Sequence, residues 1–288
     1  MRRPGELANA GSKSKIKSKS KSMTATKWTA PRIRALKGKE KVVVLTAYDF
    51  YMAGLMDEAG IHLALVGDSL GMTVLGYETT LPVTMDEMIH HTTAVARGIK
   101  NAMIVTDMPF MSYQVSVEQA LANAGRCVQE AGADGVKIEG GEFRAPTIRA
   151  LVENGIPVLG HIGLLPQSVR AMGGYKVQGK TEDDAERLIR DAKAIEDAGV
   201  FAMVLEGMPA GVAAAITKAV NVPTIGIGAG PQCDGQVLVV NDMLGMTGKL
   251  APKFVKRYAD LGGEMKKAFA AYKKDVQDGK FPGPEHCY

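Results

Sequence analysis

From Val42 onward, apolar and polar positions fall into two alternating rhythms. Short β-branched apolar runs occur at 42–46 (VVVLT), 63–67 (LALVG), 103–106 (MIVT), 135–138 (GVKI), 156–160 (IPVLG), 201–205 (FAMVL), 222–227 and 236–240 (QVLVV). Continuous apolar runs of this length read as strands buried on both faces. Between most of them the spacing changes to three and four. Over Ser116 to Ala131, Val117, Ala120, Leu121, Ala124 and Val128 share one helical face. Thr181 to Ala198 opens on Thr181 with Asp184 three residues on, a start resembling a capping box, and stops at Gly199. Gly60, Gly132, Gly155 and Gly199 look like helix C-caps placed just before the next strand. Pro252 to Gly279 reads as a last amphipathic helix with Lys256, Lys266, Lys267, Lys273 and Lys274 outward.

Eight strand-like runs in roughly 250 residues suit an α/β fold of the (β/α)8 TIM barrel kind. A doubly wound open sheet has the same alternation, and the count favours the barrel without proving closure. The composition, 46% hydrophobic and 23% charged, is that of a globular chain with a large core. No apolar run is long enough to cross a membrane as a helix. Three scattered cysteines, Cys127, Cys233 and Cys287, form no CxxC pair. That argues for a reducing, cytoplasmic setting and against a disulfide framework or a zinc site.

The net charge of +4 conceals a split. Residues 1–41 carry thirteen Lys/Arg and two acids, so residues 42–288 have a net charge of −7. The expected organisation is therefore a basic, Lys/Ser-rich disordered tail over 1–41 and a catalytic barrel over 42–288. The SKSKIKSKSKS stretch at 12–22 has nothing to bury. It fits a polyanion-binding arm, a transit peptide or, most plainly, an upstream extension, since Met23 could itself start a chain.

Candidate chemistry lies at the downstream ends of the runs. Asp68, Asp107, Glu139 and Glu206 each follow or end one. Unpaired carboxylates are costly in a core. Four of them at strand ends suggest convergence on the rim that carries catalysis in a barrel. Asp68, Asp107 and Glu139 come from three successive strands, and three hard oxygen ligands suit Mg²⁺. Any one acid alone fits a helix cap or an ion pair equally well. Glu206 lies further along, past His161, and fits a base on the other side of the pocket. Lys137 is two residues before Glu139, on the same side of its strand, where it could offset developing negative charge. His161 fits a substrate or supporting hydrogen bonder, or a satisfied core histidine. The GDSLGM turn carrying Ser69 can present N–H groups to a carboxylate, or be merely a turn.

Two strings mislead. Gly174 to Thr181 matches G-x-x-x-x-G-K-[ST], but the LLPQSVRAMG before it is no strand, so a mobile lid over the site fits better than a phosphate loop. Gly226-Ile-Gly228-Ala-Gly230 lacks the full dinucleotide fingerprint and reads as a glycine-rich rim on strand seven.

LTAYD (45–49), LVGDSLGM (65–72), TTLPVTMDEM (79–88), TDMPFMSY (106–113), VKIEGGE (136–142), GHIGLLPQSV (160–169), GGYKVQG (173–179), VLEGMP (204–209) and GIGAGPQCDGQVLV (226–239) together resemble the ketopantoate hydroxymethyltransferase family. The resemblance runs in order from about Val42 to the C-terminus. It implies a barrel of the phosphoenolpyruvate/pyruvate type. It also implies transfer of a hydroxymethyl group from 5,10-methylenetetrahydrofolate to 3-methyl-2-oxobutanoate, through an enolate stabilised by Mg²⁺. By resemblance, Asp68 and Asp107 bind Mg²⁺ and contact the 2-oxo acid, and Glu139 completes the metal site. Ser69 and Lys137 hold substrate, and Glu206 is the proton acceptor. A large ring-like homo-oligomer, a decamer, is implied as well. Partners beyond small-molecule substrates and further copies of the chain, whether nucleic acid or membrane, are not expected. Competing readings are a Mg²⁺-dependent 2-oxo acid lyase of the same barrel type, a P-loop nucleotide hydrolase and a polyanion-binding protein using the tail.

Overall fold

Each apolar run forms a strand in the computed structural model, which describes residues 26–248 and 252–288. The strands are β1 (Val42–Thr46), β2 (Leu63–Val66), β3 (Met103–Asp107), β4 (Gly135–Glu139), β5 (Val158–Gly163), β6 (Ala202–Glu206), β7 (Thr224–Ile227) and β8 (Gly235–Leu238). They pair in parallel, in sequence order, and β1 pairs with both β2 and β8. The sheet is thus a closed barrel, and the open-sheet alternative is excluded.

The helices are α1 (Ala30–Arg34), α2 (Phe50–Glu58), α3 (Leu70–Thr73), α4 (Met85–Gly98), α5 (Val117–Gln129), α6 (Ala145–Glu153), α7 (Glu182–Asp197), α8 (Ala210–Ala219), α9 (Val240–Met243) and α10 (Leu261–Gln277). The expected caps form: Ser116 accepts from the Gln119 N–H at 3.1 Å and Thr181 from the Asp184 N–H at 3.2 Å. Gly199 takes a φ of +103°, closed to most side chains, as α7 ends. No helix among the described residues is long and apolar enough to cross a membrane.

Strand parity divides the core. Inward positions Val42, Val44, Leu63, Leu65, Met103, Val105, Leu159, Val204, Ile225 and Val237 fill the barrel. Outward positions such as Ala64, Val66, Val136, Ile138, Met203 and Leu205 pack beneath the helices. The inward rows change character as they climb. Met103 and Val105 lead to Asp107, Leu159 leads to His161, and Ala202 and Val204 lead to Glu206. One period of two therefore places both the apolar filling and the polar top.

The bottom is closed by residues upstream of Val42. Ile33 on α1 is fully buried inside the barrel cluster, and Trp28 packs beside it. The Trp28 ring meets His62 edge-on at 4.6 Å and lies 4.4 Å under the Arg32 guanidinium. Residues 26–41 thus belong to the packed body. Ile33, the fully buried anchor of this segment, is hidden in the sequence by Arg32, Arg34 and Lys37 around it. Residues 1–25, including the Lys/Ser stretch at 12–22, lie outside the described residues.

The C-terminal helix begins later than its periodicity suggests. Residues 252–260 are irregular, because the Tyr258 and Leu261 N–H groups bond to the Met243 and Leu244 carbonyls and fold this segment onto α9. Asp260 then caps α10. Leu261, Met265, Phe269, Tyr272 and Val276 form an exposed stripe along it.

Candidate active site

The C-terminal rim holds a cavity of about 1100 Å³ whose lining includes Asp68, Ser69, Asp107, Lys137, Glu139, His161 and Glu206. All the sequence-selected residues meet there. Register explains much of this: Asp107 pairs with Lys137, and Glu139 pairs with His161. Glu206 comes from the strand next to His161, where it is opposite Gly163. Gly163 has a φ of +99°, and a β-carbon on it would lie 2.3 Å from the Glu206 carbonyl oxygen. The close approach of β5 to β6 here requires glycine.

A charged chain crosses the floor. Lys137 Nζ lies 3.0 Å from Asp107 Oδ2 and 3.4 Å from His161 Nδ1. His161 Nδ1 is 3.6 Å from Glu139 Oε1, and Nε2 is 3.2 Å from Glu206 Oε2. That last contact is off-line, so Nε2 makes no hydrogen bond despite the short separation. Asp68, just beyond β2, donates its N–H to Asp107 Oδ2 at 3.0 Å. The GDSLGM turn does present an N–H to a carboxylate, but to the protein's own. Ser69 Oγ pairs with the buried Tyr48 hydroxyl at 2.8 Å.

Burial, and then repulsion from Asp107, push the Asp68 carboxyl up to about 7. Burial likewise holds Glu139 well above the ordinary carboxylate range, against the attraction of Lys137. Burial opposes charge on Lys137, but Asp107, Glu139 and Asp68 outweigh it and raise the ammonium. His161 is lowered by burial and then by Lys137, which keeps the ring neutral. Nδ1 then accepts from Lys137 and Nε2–H faces Glu206.

A divalent cation fits this floor on chemical grounds. Four carboxyl groups face one ammonium, and the donors are hard oxygens. Asp107 Oδ1 and Glu139 Oε1 are buried without a hydrogen-bond partner. Buried polar atoms are rarely left so. Among the described residues no three His, Cys, Asp or Glu side chains already form a closed cage. Mg²⁺ does not need one, because it retains water and substrate oxygens in its shell.

Three residues that carry no expected role stand in this floor. Tyr48 holds Ser69. Gln167, 5% exposed, donates from Nε2 to Asp68 Oδ2 at 2.9 Å. Tyr113 donates its hydroxyl to Gln167 Oε1 at 2.8 Å. A glutamine after a proline reads as loop surface, and only its burial reveals it.

The Walker-like string is not a phosphate loop. Its Thr181 caps α7, but a loop containing the Pro166–Ser168 turn intervenes after β5, and Lys180 is exposed. Tyr175 and Val177 of this segment line the cavity, as do Gly228 and Gly230 from the rim after β7. Another cavity, of about 500 Å³, opens against β1, β7 and β8 and has Lys41 as its sole charged liner.

Comparison with known proteins places the chain. A family model described as ketopantoate hydroxymethyltransferase matches residues 27–284. Curated relatives with the name 3-methyl-2-oxobutanoate hydroxymethyltransferase are 54–59% identical. The one from Clostridium novyi (strain NT) is 59% identical over 255 residues, covering 88% of this chain and 93% of its own length. Among solved structures, phosphonopyruvate hydrolase in complex with oxalate and Mg²⁺ superposes with a TM-score of 0.59 at 14% identity, over 90% of this chain and 93% of that one. 2,3-Dimethylmalate lyase, a PEP mutase/isocitrate lyase superfamily member, does so with a TM-score of 0.56 at 16% identity, over 89% and 93%. These two likenesses establish the shared barrel alone. With its family match beginning at the Trp28 plug and running through every residue of the acidic floor, this chain belongs to the ketopantoate hydroxymethyltransferase family.

Proposed function

We propose that this protein transfers a hydroxymethyl group from 5,10-methylenetetrahydrofolate to 3-methyl-2-oxobutanoate, forming 2-dehydropantoate for pantothenate biosynthesis. The observation that carries this reading is the floor itself. In a chain of this family, it joins unpaired buried carboxylate oxygens, one ammonium and a separate carboxylate beside a neutral histidine.

Asp68, Asp107 and Glu139 would hold Mg²⁺. When bound, the ion supplies Lewis-acid polarisation of the keto group, without which the C3 hydrogen is too weakly acidic for a carboxylate. The Mg²⁺ in the phosphonopyruvate hydrolase complex makes a divalent ion plausible for the fold. The chain's own residues do the rest. Ser69 and Lys137 bind the substrate's oxygens. Glu206, with His161 Nε2 3.2 Å away, takes the C3 proton. The electron pair moves toward the keto oxygen, and the Lys137 ammonium offsets the charge gained there. The nucleophilic carbon forms its new C–C bond to the one-carbon unit, one water supplies the hydroxyl oxygen, and both C–N bonds to the folate break, so that the C3 proton and the water's second proton end on the nitrogens of the departing tetrahydrofolate.

The cavity has room for both substrates. Its volume of about 1100 Å³ exceeds the roughly 300–1,000 Å³ of a site for one drug-sized ligand. Beyond Glu206 its wall includes Met208, Val239, Asp242, Thr247, Lys253 and Phe254, a largely apolar surface with one carboxylate and one ammonium, suited to the pterin of the folate. Tyr175 and Val177 stand over the mouth, and closure of their loop would exclude water from the reacting carbanion.

A homo-oligomer is supported by the exposed apolar stripe of α10 and by the outer face of β1, where Val43 is 42% exposed. Light scattering would show whether it is the decamer. The free thiols of Cys127 and Cys233, both buried, accord with a cytoplasmic location.

The test follows the C3 hydrogen of 3-methyl-2-oxobutanoate by proton NMR in D₂O, with no folate present. Exchange is expected only with protein and Mg²⁺ together, and Glu206→Gln should stop it while substrate still binds. Exchange that survives the substitution removes Glu206 as the base.

A further inference from the structure

Gln167 lies in the 3-10 turn Pro166–Ser168, at the root of the loop that carries Tyr175. Its side chain uses its full bonding capacity. Nε2 donates to Asp68 Oδ2 and to the Met108 carbonyl, both at 2.9 Å. Oε1 accepts from the Tyr113 hydroxyl at 2.8 Å and from Gln114 Nε2 at 3.0 Å. Two donors and two acceptors are all a carboxamide has. Its orientation is settled by the Met108 carbonyl, which can only accept, so the NH₂ must face that side and Asp68 with it. The Gln167 backbone N–H donates in turn to Glu139 Oε2 at 3.1 Å.

One residue therefore grips two carboxylates that arrive from different strands, β2 and β4. It leaves Glu139 Oε1 without a partner. Tyr113 braces the arrangement from behind. Besides holding Oε1, its hydroxyl accepts from the Glu139 N–H at 3.2 Å.

We infer that Gln167 is the positioning residue of the metal site, fixing Asp68 and Glu139 together in the geometry a divalent ion requires, with Tyr113 holding its carboxamide in place at Oε1. This rests on the Mg²⁺-dependent reading above. The chemistry asks for such a residue. Two carboxylates at one small ion repel and rotate unless a neutral donor ties down their remaining oxygens, and supporting bonds of this kind shape metal affinity. Gln167 does this without adding charge, whereas a lysine in its place would cancel the negative potential that attracts the cation.

The experiment measures Mg²⁺ affinity calorimetrically in the presence of 3-methyl-2-oxobutanoate, for wild type, Gln167→Met, Tyr113→Phe and the double variant. Steady-state kcat across a Mg²⁺ titration and Tm in EDTA are recorded alongside. Gln167→Met should weaken Mg²⁺ roughly 10–100-fold. The Mg²⁺ needed for half-maximal activity should rise by the same factor, while kcat at saturating metal falls less. Tyr113→Phe, which removes one hydroxyl, should weaken Mg²⁺ roughly fivefold. In the Gln167→Met background it should add less, since only the contact of its hydroxyl with the Glu139 N–H is then left to lose. Failure of wild type to bind Mg²⁺ would sink the metal reading itself. Wild-type binding with an unchanged affinity in Gln167→Met would overturn this inference alone. A Tyr113→Phe effect of equal size in both backgrounds would overturn the part given to Tyr113. If Gln167→Met does not fold, Tyr113→Phe decides, and an unaltered Mg²⁺ affinity there counts against the inference.

Discussion

The two ends of this barrel are built from the same inward rows of side chains, yet they are opposites. At the bottom, Val42, Leu63, Met103 and Phe201 close over the Ile33 plug, and the buried polar side chains described there have partners. Asp57 illustrates this: its carboxylate accepts from the N–H groups of Lys100, Asn101 and Ala102 at 3.1, 2.8 and 2.7 Å. Burial would raise it, but those bonds outweigh burial and hold it below the usual range. At the top, Asp107 and Glu139 each keep a buried oxygen unmatched. The lower end is satisfied and stabilises the fold. The upper end keeps unsatisfied oxygens on residues that line the rim cavity. Saturation of polar groups, more than polarity itself, separates the structural end from the working end.

Substitutions at the two ends should therefore separate activity from stability. The largest effect belongs to the top: Glu206→Gln should lower kcat by roughly 10²–10⁴-fold with Tm nearly unchanged, read by turnover and calorimetry. At the bottom, Ile33→Ala should cost roughly 2–5 kcal/mol in urea unfolding while kcat per folded molecule is retained. A large loss of kcat there would mean that the plug shapes the site, and the division would fail.

Next comes pH, with opposite signs at the two ends. Asp68 is raised to about 7 by burial and Asp107, so without metal it stabilises the fold below its unfolded value near 4, and that contribution is lost as pH rises toward 7. Asp68→Asn should remove this slope and raise Tm in EDTA at neutral pH by several degrees, with about 2–4 °C for each kcal/mol. His62 is lowered, chiefly by burial, and its Nδ1 must stay unprotonated to accept the Val43 N–H at 3.0 Å. Its contribution is complete above its unfolded value near 6.5 and is lost as pH falls below it. His62→Phe should flatten that acid limb in a Tm–pH profile. The smallest effect lies in the outer ring of helices. Thr181→Ala removes the α7 cap and should cost about 1 kcal/mol without altering kcat, unless the lid loop depends on that cap.

Much of this was legible in the chain because the rows are periodic. Asp107, Glu139 and Glu206 end apolar runs, and the step from Lys137 to Glu139 fixes their common side. Asp68 was visible only by proximity, since it stands past the end of β2. Gln167 and Tyr113 were not legible, because their importance lies in partners 99 and 54 positions away in the chain. No local pattern encodes a bond of that span. Ile33 was concealed for a simpler reason: composition over a basic window averages away one buried side chain. The late start of α10 escaped because backbone bonds to α9, rather than periodicity, decide where the helix begins.

Lys137 has a consequence for how the chain reaches this state. Its ammonium finds Asp107 only when β3 and β4 are aligned as they are here. A slip of one residue would swing it out among the greasy undersides of α5 and α6, where nothing could solvate it. The Lys137–Asp107 pair thus makes this alignment of β3 and β4 more favourable than its one-residue neighbours.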